Sequence, residues 1–440
     1  MTRRVLALVA AGALALVALP ARAYVPEKTP KRHLEASIRR TIALPPVRPS
    51  LPGLLILRAG RPVLQMNPDR EFLPASLLKL GTTMAAILRF GPSHRFATRV
   101  VGSKPVAGAT GTVWLVGGGD PTFATRAYRH NNFFPKPNDP VPVPVFRTPS
   151  PTVEDLAAAI ARAGVRRVDG DLMVDDTLFD ARRTQPGWIP DYTRNDPDIG
   201  YISALTVNEG FSDVKGKNLY ADPAAGAGNA LKAALAGAGV VVTGSVRRGT
   251  APSNAGEIAR VLSPPLDQII SYTNRFSINY CAELMLKALG ARFGSGGTSA
   301  AGAAVVRSTL AAQGIPVEGL TQIDGSGLST LNRSTPRTIA AIVQWILTSN
   351  REEATALRDS FPVAGGPGTL FRRMTKPPTG GNLRGKTAFI RHVRGMAGWV
   401  TPSDGVPLVY VALFNQVPKP LELTSPLDLI GLALALFGAP

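Results

Sequence analysis

Ser76-Leu77-Leu78-Lys79 sets a hydroxyl and an amine three residues apart. On a helix that spacing puts both on one side of the first turn. A serine hydroxyl is a poor nucleophile at its free pKa and needs a proton acceptor within hydrogen-bond reach. Lys79 can be that acceptor where partial burial and nearby positive groups depress its pKa. Two later fragments, Ser277-Ile278-Asn279 and Lys386-Thr387-Ala388, complete an ordered pattern used in serine acyl transfer: S-x-x-K, then S-x-N, then K-T-G. The third fragment departs from it, with alanine at 388 where the pattern has glycine.

Each later fragment has a task in that chemistry. A hydroxyl at Ser277 would relay a proton to a departing amine. The amide of Asn279 would bind a substrate peptide carbonyl and hold Lys79. Lys386 and Thr387 pair a charge with a hydroxyl, which suits a substrate carboxylate, and Lys386 also keeps the field around Lys79 positive. The backbone N–H groups of Ser76 and Phe389 would face a developing oxyanion. Taken singly, the fragments also have ordinary readings. They are a surface lysine after a chance serine, a helix cap at residues 277–279, and a basic edge strand at residues 386–387. Cys281 has no histidine beside it and reads as a small buried hydrophobe. Asp324-Gly325-Ser326-Gly327-Leu328-Ser329 is a second-rank site segment, because its glycines permit a tight turn near a ligand. A structural loop beside the cleft is the equal alternative. Asp120 and Asp175 read as braces without a catalytic part.

The elements that must position these groups follow from periodicity and punctuation. Leu54 to Leu57 and Val63 to Met66 read as a strand pair around the turn Arg58-Ala59-Gly60-Arg61-Pro62. Pro74-Ala75-Ser76 opens a helix that Gly91-Pro92 ends. Between residues 94 and 261 the texture changes. Val113 to Val116 reads as a strand, Val153 to Ala163 as a helix and Val168 to Val174 as one strand, with a helix near Ala230 to Ala236. Seven prolines between Pro135 and Pro151 make that stretch a loop or irregular insertion. Helices are expected from Leu266, over Ser277 to Leu289, over Ser299 to Gly314 and over Thr335 to Thr348. Strands are expected over Thr387 to Val393, Gly395 to Val400 and Leu408 to Asn415, closed by a helix from Pro426 to Phe437. This is the layout of an antiparallel sheet covered by helices on two sides.

Arg3 and Arg4, the apolar run Val5 to Leu19 and the small-x-small triplet Ala21-Arg22-Ala23 have the form of a cleavable export signal. A membrane anchor is the alternative, but fifteen residues are short for a bilayer span. Cleavage after Ala23 would leave 417 residues, enough for two or three domains. It would also remove Arg3, Arg4 and Arg22, lowering the formal charge from +19 to +16. Such a surface favours polyanions or an anionic envelope. The basic residues are dispersed, without an aromatic-interleaved module, so nucleic acid is not expected as a partner. Peripheral association with the envelope is compatible with the charge. A single cysteine excludes an internal disulfide, and four scattered histidines with no close Cys/His/Asp set give no structural zinc site.

With these fragments in order, the chain resembles the D-alanyl-D-alanine carboxypeptidases and endopeptidases of the low-molecular-mass penicillin-binding class with a large insertion after the nucleophile helix. Longer strings carry the resemblance: Pro74 to Lys79, Gly118-Gly119-Asp120-Pro121, Gly187-Trp188, Ala204 to Glu209, Asp324 to Ser329 with Asn332-Arg333, and Gly398-Trp399-Val400. The resemblance implies a multidomain α+β protein. Its β-lactamase/transpeptidase-like catalytic domain would hold residues 24–93 and 262–440, with β-rich module or modules inserted at 94–261 and a signal peptide at 1–23. It implies Ser76 as the acylated nucleophile, Lys79 as its base, Ser277, Asn279 and Lys386 as catalytic partners, and Thr387 with the Phe389 N–H as substrate-binding groups. The expected substrates are peptidoglycan stem peptides ending in D-Ala-D-Ala, or D-amino-acid cross-links, with β-lactams as acylating inhibitors and no cofactor. Export would place the protein in the periplasm or outside the cell. A β-lactamase, which shares the three elements, and a non-catalytic cell-wall-binding or assembly protein are the alternatives. Because Thr387 should face the cleft, strand alternation turns Ala388 to the opposite, structural side.

Overall fold

The computed structural model describes residues 30–133, 145–194 and 197–437. The export signal expected at 1–23 and most of the proline-rich stretch lie outside these residues.

The chain enters through helix α1 (Pro30–Ile42) and the hairpin β1 (Leu51–Arg58) and β2 (Arg61–Met66). A 3₁₀ turn over Ala75–Leu78 runs directly into α2 (Lys79–Phe90). Next come β3 (Ala97–Gly102), β4 (Ala109–Thr110), β5 (Val113–Val116), α3 (Arg126–Asn132), α4 (Val153–Arg162), β6 (Arg167–Val168) and β7 (Leu172–Asp175). The same region continues with α5 (Pro223–Gly237), β8 (Val241–Val242), β9 (Val246–Arg248) and β10 (Gly256–Leu262). Helices α6 (Leu266–Phe276), α7 (Asn279–Phe293), α8 (Ser299–Ala312), α9 (Pro336–Thr348) and α10 (Glu352–Asp359) lead to β11 (Arg384–Ile390), β12 (Val393–Val400), β13 (Leu408–Asn415) and the closing helix α11 (Thr424–Ala435).

The ends of the chain build one antiparallel sheet in the order β11-β12-β13-β1-β2. Its central strands read as unbroken apolar runs because both faces are covered. Along β13, Val409, Val411 and Leu413 join the core shared with α2, α7 and α9. The alternate residues Leu408, Tyr410, Ala412 and Phe414 join Leu34 and Ile38 of α1 and Leu427, Ile430 and Leu434 of α11. The sheet is thus the middle layer of an α+β sandwich.

Residues between 97 and 262 build two further sheets, β10-β3-β5-β7-β9 and the small parallel β4-β6-β8. Their core includes Val100, Leu115, Leu172 and Val174, with Leu156 and Ile160 of α4 and Leu231 and Leu235 of α5. The single strand expected over 168–174 is two strands in different sheets. Gly170 makes the break, where an added Cβ would sit 2.6 Å from Thr112 Oγ1. Asp171 Oδ1 accepts the Ser245 N–H at 2.7 Å to seat the second strand. The helix expected near 230–236 begins earlier, because Asp222 caps it with Pro223 in the first position. Asp120 and Asp175 do brace this region. Asp120 Oδ1 holds Thr122 N and Oγ1, each at 2.7 Å, and Asp175 holds Thr177 N at 2.9 Å and Ala251 N at 2.8 Å.

Candidate active site

The helix after Ser76 starts with a forced backbone. Ala75 has φ +47, a left-handed value for a residue with a Cβ, and the chain then tightens into the 3₁₀ turn that carries Ser76. The N–H groups at the start of such a turn have no partner inside it, so the Ser76 N–H is free to meet a ligand. A Cβ at Gly327 would lie 2.0 Å from the Ala75 carbonyl oxygen. Glycine at 327 therefore lets the Asp324–Ser329 loop reach the nucleophile turn.

Lys79 follows Ser76 by one turn and is fully buried. Its Nζ lies 2.9 Å from Ser76 Oγ, 2.7 Å from Asn279 Oδ1 and 2.6 Å from the Ser326 carbonyl oxygen. Burial pushes its pKa down to about 7, against the opposing pull of Asp324 and Glu283. The amide and backbone oxygens can only accept, so each takes an N–H of the Lys79 amine. A neutral amine held this way would turn its lone pair toward the Ser76 hydroxyl.

Ser277 and Asn279 come from the junction of α6 and α7. The helix expected to begin at Ser277 begins at Asn279 instead, and Ser277 sits outside it in the left-handed region, φ 60 and ψ 38. That turn ends α6 and projects the hydroxyl toward β11, where Lys386 Nζ donates to Ser277 Oγ at 2.8 Å. Neither residue caps α7 with its side chain. Lys386 also donates to the Thr387 carbonyl at 3.1 Å. Burial holds the pKa of Lys386 well below the usual lysine range, and the charge of Lys79 adds to that shift.

β11 is the edge strand of the sheet. Its Gly385 N–H donates to Pro362 O, away from β12, so by alternation the N–H groups of Thr387 and Phe389 point out over the same open edge. The Phe389 ring is half exposed. Lys386 and Ala388 share the inward face, and Ala388 is fully buried in the core that contains Leu77 and Leu78. The extra methyl therefore lies in the core shared with the Ala75–Leu78 turn, against which β11 packs, on the face opposite Thr387. Cys281 is fully buried, as its sequence context suggested.

Sequence reasoning gave no role to two supporting residues, Glu283 and Trp188. Glu283, buried on α7, accepts the Ser326 N–H at 2.7 Å. Trp188 Nε1 donates to Asp324 Oδ2 at 2.8 Å, tying the segment before α5 to the loop that holds Lys79. Asp324 further collects the N–H groups of Gly327 and Ser329, at 2.8 and 2.6 Å, and Asn332 Nδ2 at 2.8 Å. Glu283 was findable, since it follows Asn279 by four residues and shares its helix face. The Trp188–Asp324 contact spans 136 residues and carries no local signal.

The sequence matches the D-Ala-D-Ala carboxypeptidase 3 (S13) family over residues 34–219 and 217–431. The chain belongs to this family. It is 30% identical to a carboxypeptidase of Mycobacterium tuberculosis over 365 residues, covering 81% of this chain and 74% of that protein. It is 27% identical to the D-alanyl-D-alanine carboxypeptidase of Actinomadura sp. (strain R39), covering 82% of this chain and 77% of that one. The crystal structure of penicillin binding protein 4 from Haemophilus influenzae superposes with a TM-score of 0.74 at 20% identity, over 90% of this chain and 97% of that one. This S13 chain is a serine-type D-Ala-D-Ala carboxypeptidase.

Proposed function

We propose that Ser76 is the acylated residue and Lys79 its base in D,D-carboxypeptidase turnover. The observation that carries this is the geometry of Lys79, whose buried Nζ lies 2.9 Å from Ser76 Oγ while Asn279 Oδ1 and the Ser326 carbonyl take its other contacts. Lys79 takes the Ser76 proton as Oγ bonds to the carbonyl carbon of the penultimate D-Ala. The oxyanion is held by the N–H groups of Ser76 and Phe389. Collapse breaks the C–N bond, and the leaving D-Ala amine takes the proton from Lys79 by way of Ser277. Water then hydrolyses the ester with Lys79 again as base. No step needs a metal or organic cofactor.

Thr387 and Ser277 are the hydroxyls offered to the terminal carboxylate. Its arrival brings a negative charge next to the depressed Lys386 amine and favours the ammonium. An internal cross-link has its peptide bond to a D-amino acid whose carboxylate is likewise free, so endopeptidase action at the same site follows from the same contact.

We infer that residues 24–93 and 262–440 form the catalytic domain, with 94–261 inserted. The protein works outside the cytoplasm after loss of residues 1–23. No helix among the described residues is long and apolar enough to cross a membrane. A crystal structure of the Haemophilus influenzae protein in complex with a β-lactam makes such a compound the natural probe here. Intact-mass analysis after incubation with benzylpenicillin should show one adduct per native chain and none on Ser76→Ala, with D-Ala released from a D-Ala-D-Ala peptide by the native chain alone. An adduct on Ser76→Ala would overturn the assignment. Rapid drug hydrolysis with no lasting adduct would point to a β-lactamase.

A further inference from the structure

Glu283 lies one helical turn beyond Asn279, so the two side chains leave α7 on the same side. It is fully buried. Its Oε1 accepts the Ser326 N–H at 2.7 Å, while the carbonyl oxygen of that same residue takes the Lys79 amine at 2.6 Å. Close packing pins the loop here, since a Cβ on Gly325 would lie 2.1 Å from the Ala282 carbonyl oxygen. Helix α7 thus supplies two of the constraints on Lys79, Asn279 directly and Glu283 through the Ser326 peptide.

We propose that Glu283 is a positioning residue for Lys79, fixing the Ser326 peptide and through it the direction of the amine's lone pair toward Ser76. The proposal rests on the reading of Lys79 as the base. A peptide held only by its flanking glycines would let the Ser326 carbonyl rotate, and the amine would lose one of the two acceptors that orient it.

The surroundings favour the protonated form of Glu283. Its Oε2 has no hydrogen-bond partner, so an ionised carboxylate at this depth would be poorly compensated. The titratable groups that face it are Lys79 of α2, Asp324 of the loop and Lys287 one turn further along α7. Beyond Lys287 lie Asp180, which binds its amine, and Arg183, both of the inserted region. Burial pushes Glu283 up to about 8, and the neighbouring Asp324 adds to the shift. Protonated, Glu283 accepts the Ser326 N–H with one oxygen and adds no anion beside Lys79; ionised, it would accept the same N–H and pull the Lys79 pKa upward.

The test is the acylation rate constant with benzylpenicillin, expressed per competent site and followed across the acid limb, for the native chain, Glu283→Ala, Glu283→Gln and Lys79→Ala. Glu283→Ala should acylate about 10- to 100-fold more slowly with unchanged apparent affinity, the size of effect expected from a misoriented catalytic group. Glu283→Gln keeps the accepting oxygen and should recover the rate to within about threefold of the native chain, with the acid limb in place. Wild-type acylation by Glu283→Ala would overturn the proposal, and so would a Glu283→Gln as slow as Glu283→Ala. Should the alanine variant not fold, Glu283→Gln decides alone: acylation slowed about tenfold or more would overturn the proposal. Lys79→Ala separates the two readings. Persistent acylation there would remove Lys79 as base, whereas its loss together with a normal Glu283→Ala rate would remove only the role of Glu283.

Discussion

The Lys79 amine donates to the Ser326 backbone carbonyl at 2.6 Å, across 247 residues of sequence. The helix that carries Lys79 and the distal loop are therefore one device. Everything that sets this loop, from Gly327 against the Ala75 carbonyl to Trp188 on Asp324, acts on the amine proposed to accept the Ser76 proton.

The first prediction concerns pH. Lys79 works as a base only when neutral, and burial places its titration at about 7. Acylation should rise with pH through that value and level off above it. At two pH units below it, only about one amine in a hundred is neutral, so the rate should be about 100-fold lower. Stopped-flow acylation against pH checks this. A rate flat from acid to neutral pH would exclude Lys79 as the titrating base.

Trp188→Phe keeps the ring and removes the N–H that Asp324 accepts. A hydrogen bond to a carboxylate contributes about 1.5–3 kcal/mol. The loss should loosen the loop that holds Lys79, lowering kcat by about tenfold with KM little changed, since the indole is not a substrate contact in this reading. Steady-state release of D-Ala by the purified variant measures both constants.

Ala388→Gly restores the residue that the motif usually has. The Ala388 methyl is fully buried against the core that includes Leu77 and Leu78. Removing it from a strand should cost about 1–2 kcal/mol, from lost burial and added chain entropy. Acylation should stay within about threefold, because Lys386, Thr387 and the Phe389 N–H keep their places. A lower melting temperature with retained β-lactam labelling is the expected pair of results. A large rise in acylation would mean that the methyl crowds the cleft.

Between β3 and β10, Asp176 accepts from Arg248 at 2.8 Å and from Arg183 at 2.6 Å, and Arg248 also binds Asp222. Burial opposes ionisation of Asp176, but the two arginines outweigh it and its pKa falls below the usual carboxylate value. Arg248 holds Asp222 low as well. A depressed carboxyl contributes stability that is present above its unfolded pKa, near 4, and is lost as pH falls through the lower folded value. Asp176→Asn should therefore destabilise the protein by about 1–2 kcal/mol at neutral pH, toward the low end because Arg248 is partly exposed. The gap from the native chain should narrow in acid. Thermal melts at neutral and acid pH would expose an opposite trend.

The sequence alone determined the identity and order of Ser76, Lys79, Ser277, Asn279, Lys386 and Thr387. It also determined the apolar periodicity that makes the central sheet and its helices, because those signals are local in residue type and spacing. It could not show that Ser277 would leave α7 for a left-handed turn, since serine is also a natural cap and only the contact with Lys386 selects the other conformation. Nor could it divide residues 168–174 between two sheets, a choice made by the approach of Gly170 to Thr112. The tertiary structure alone decided the depression of both lysines, which needs burial. It also decided the partnership of Glu283, Ser326, Asp324 and Trp188, whose hydrogen bonds join segments with no spacing rule between them. The chemistry was written in short-range pattern, whereas the electrostatic setting that enables it arises only when distant segments exclude water together.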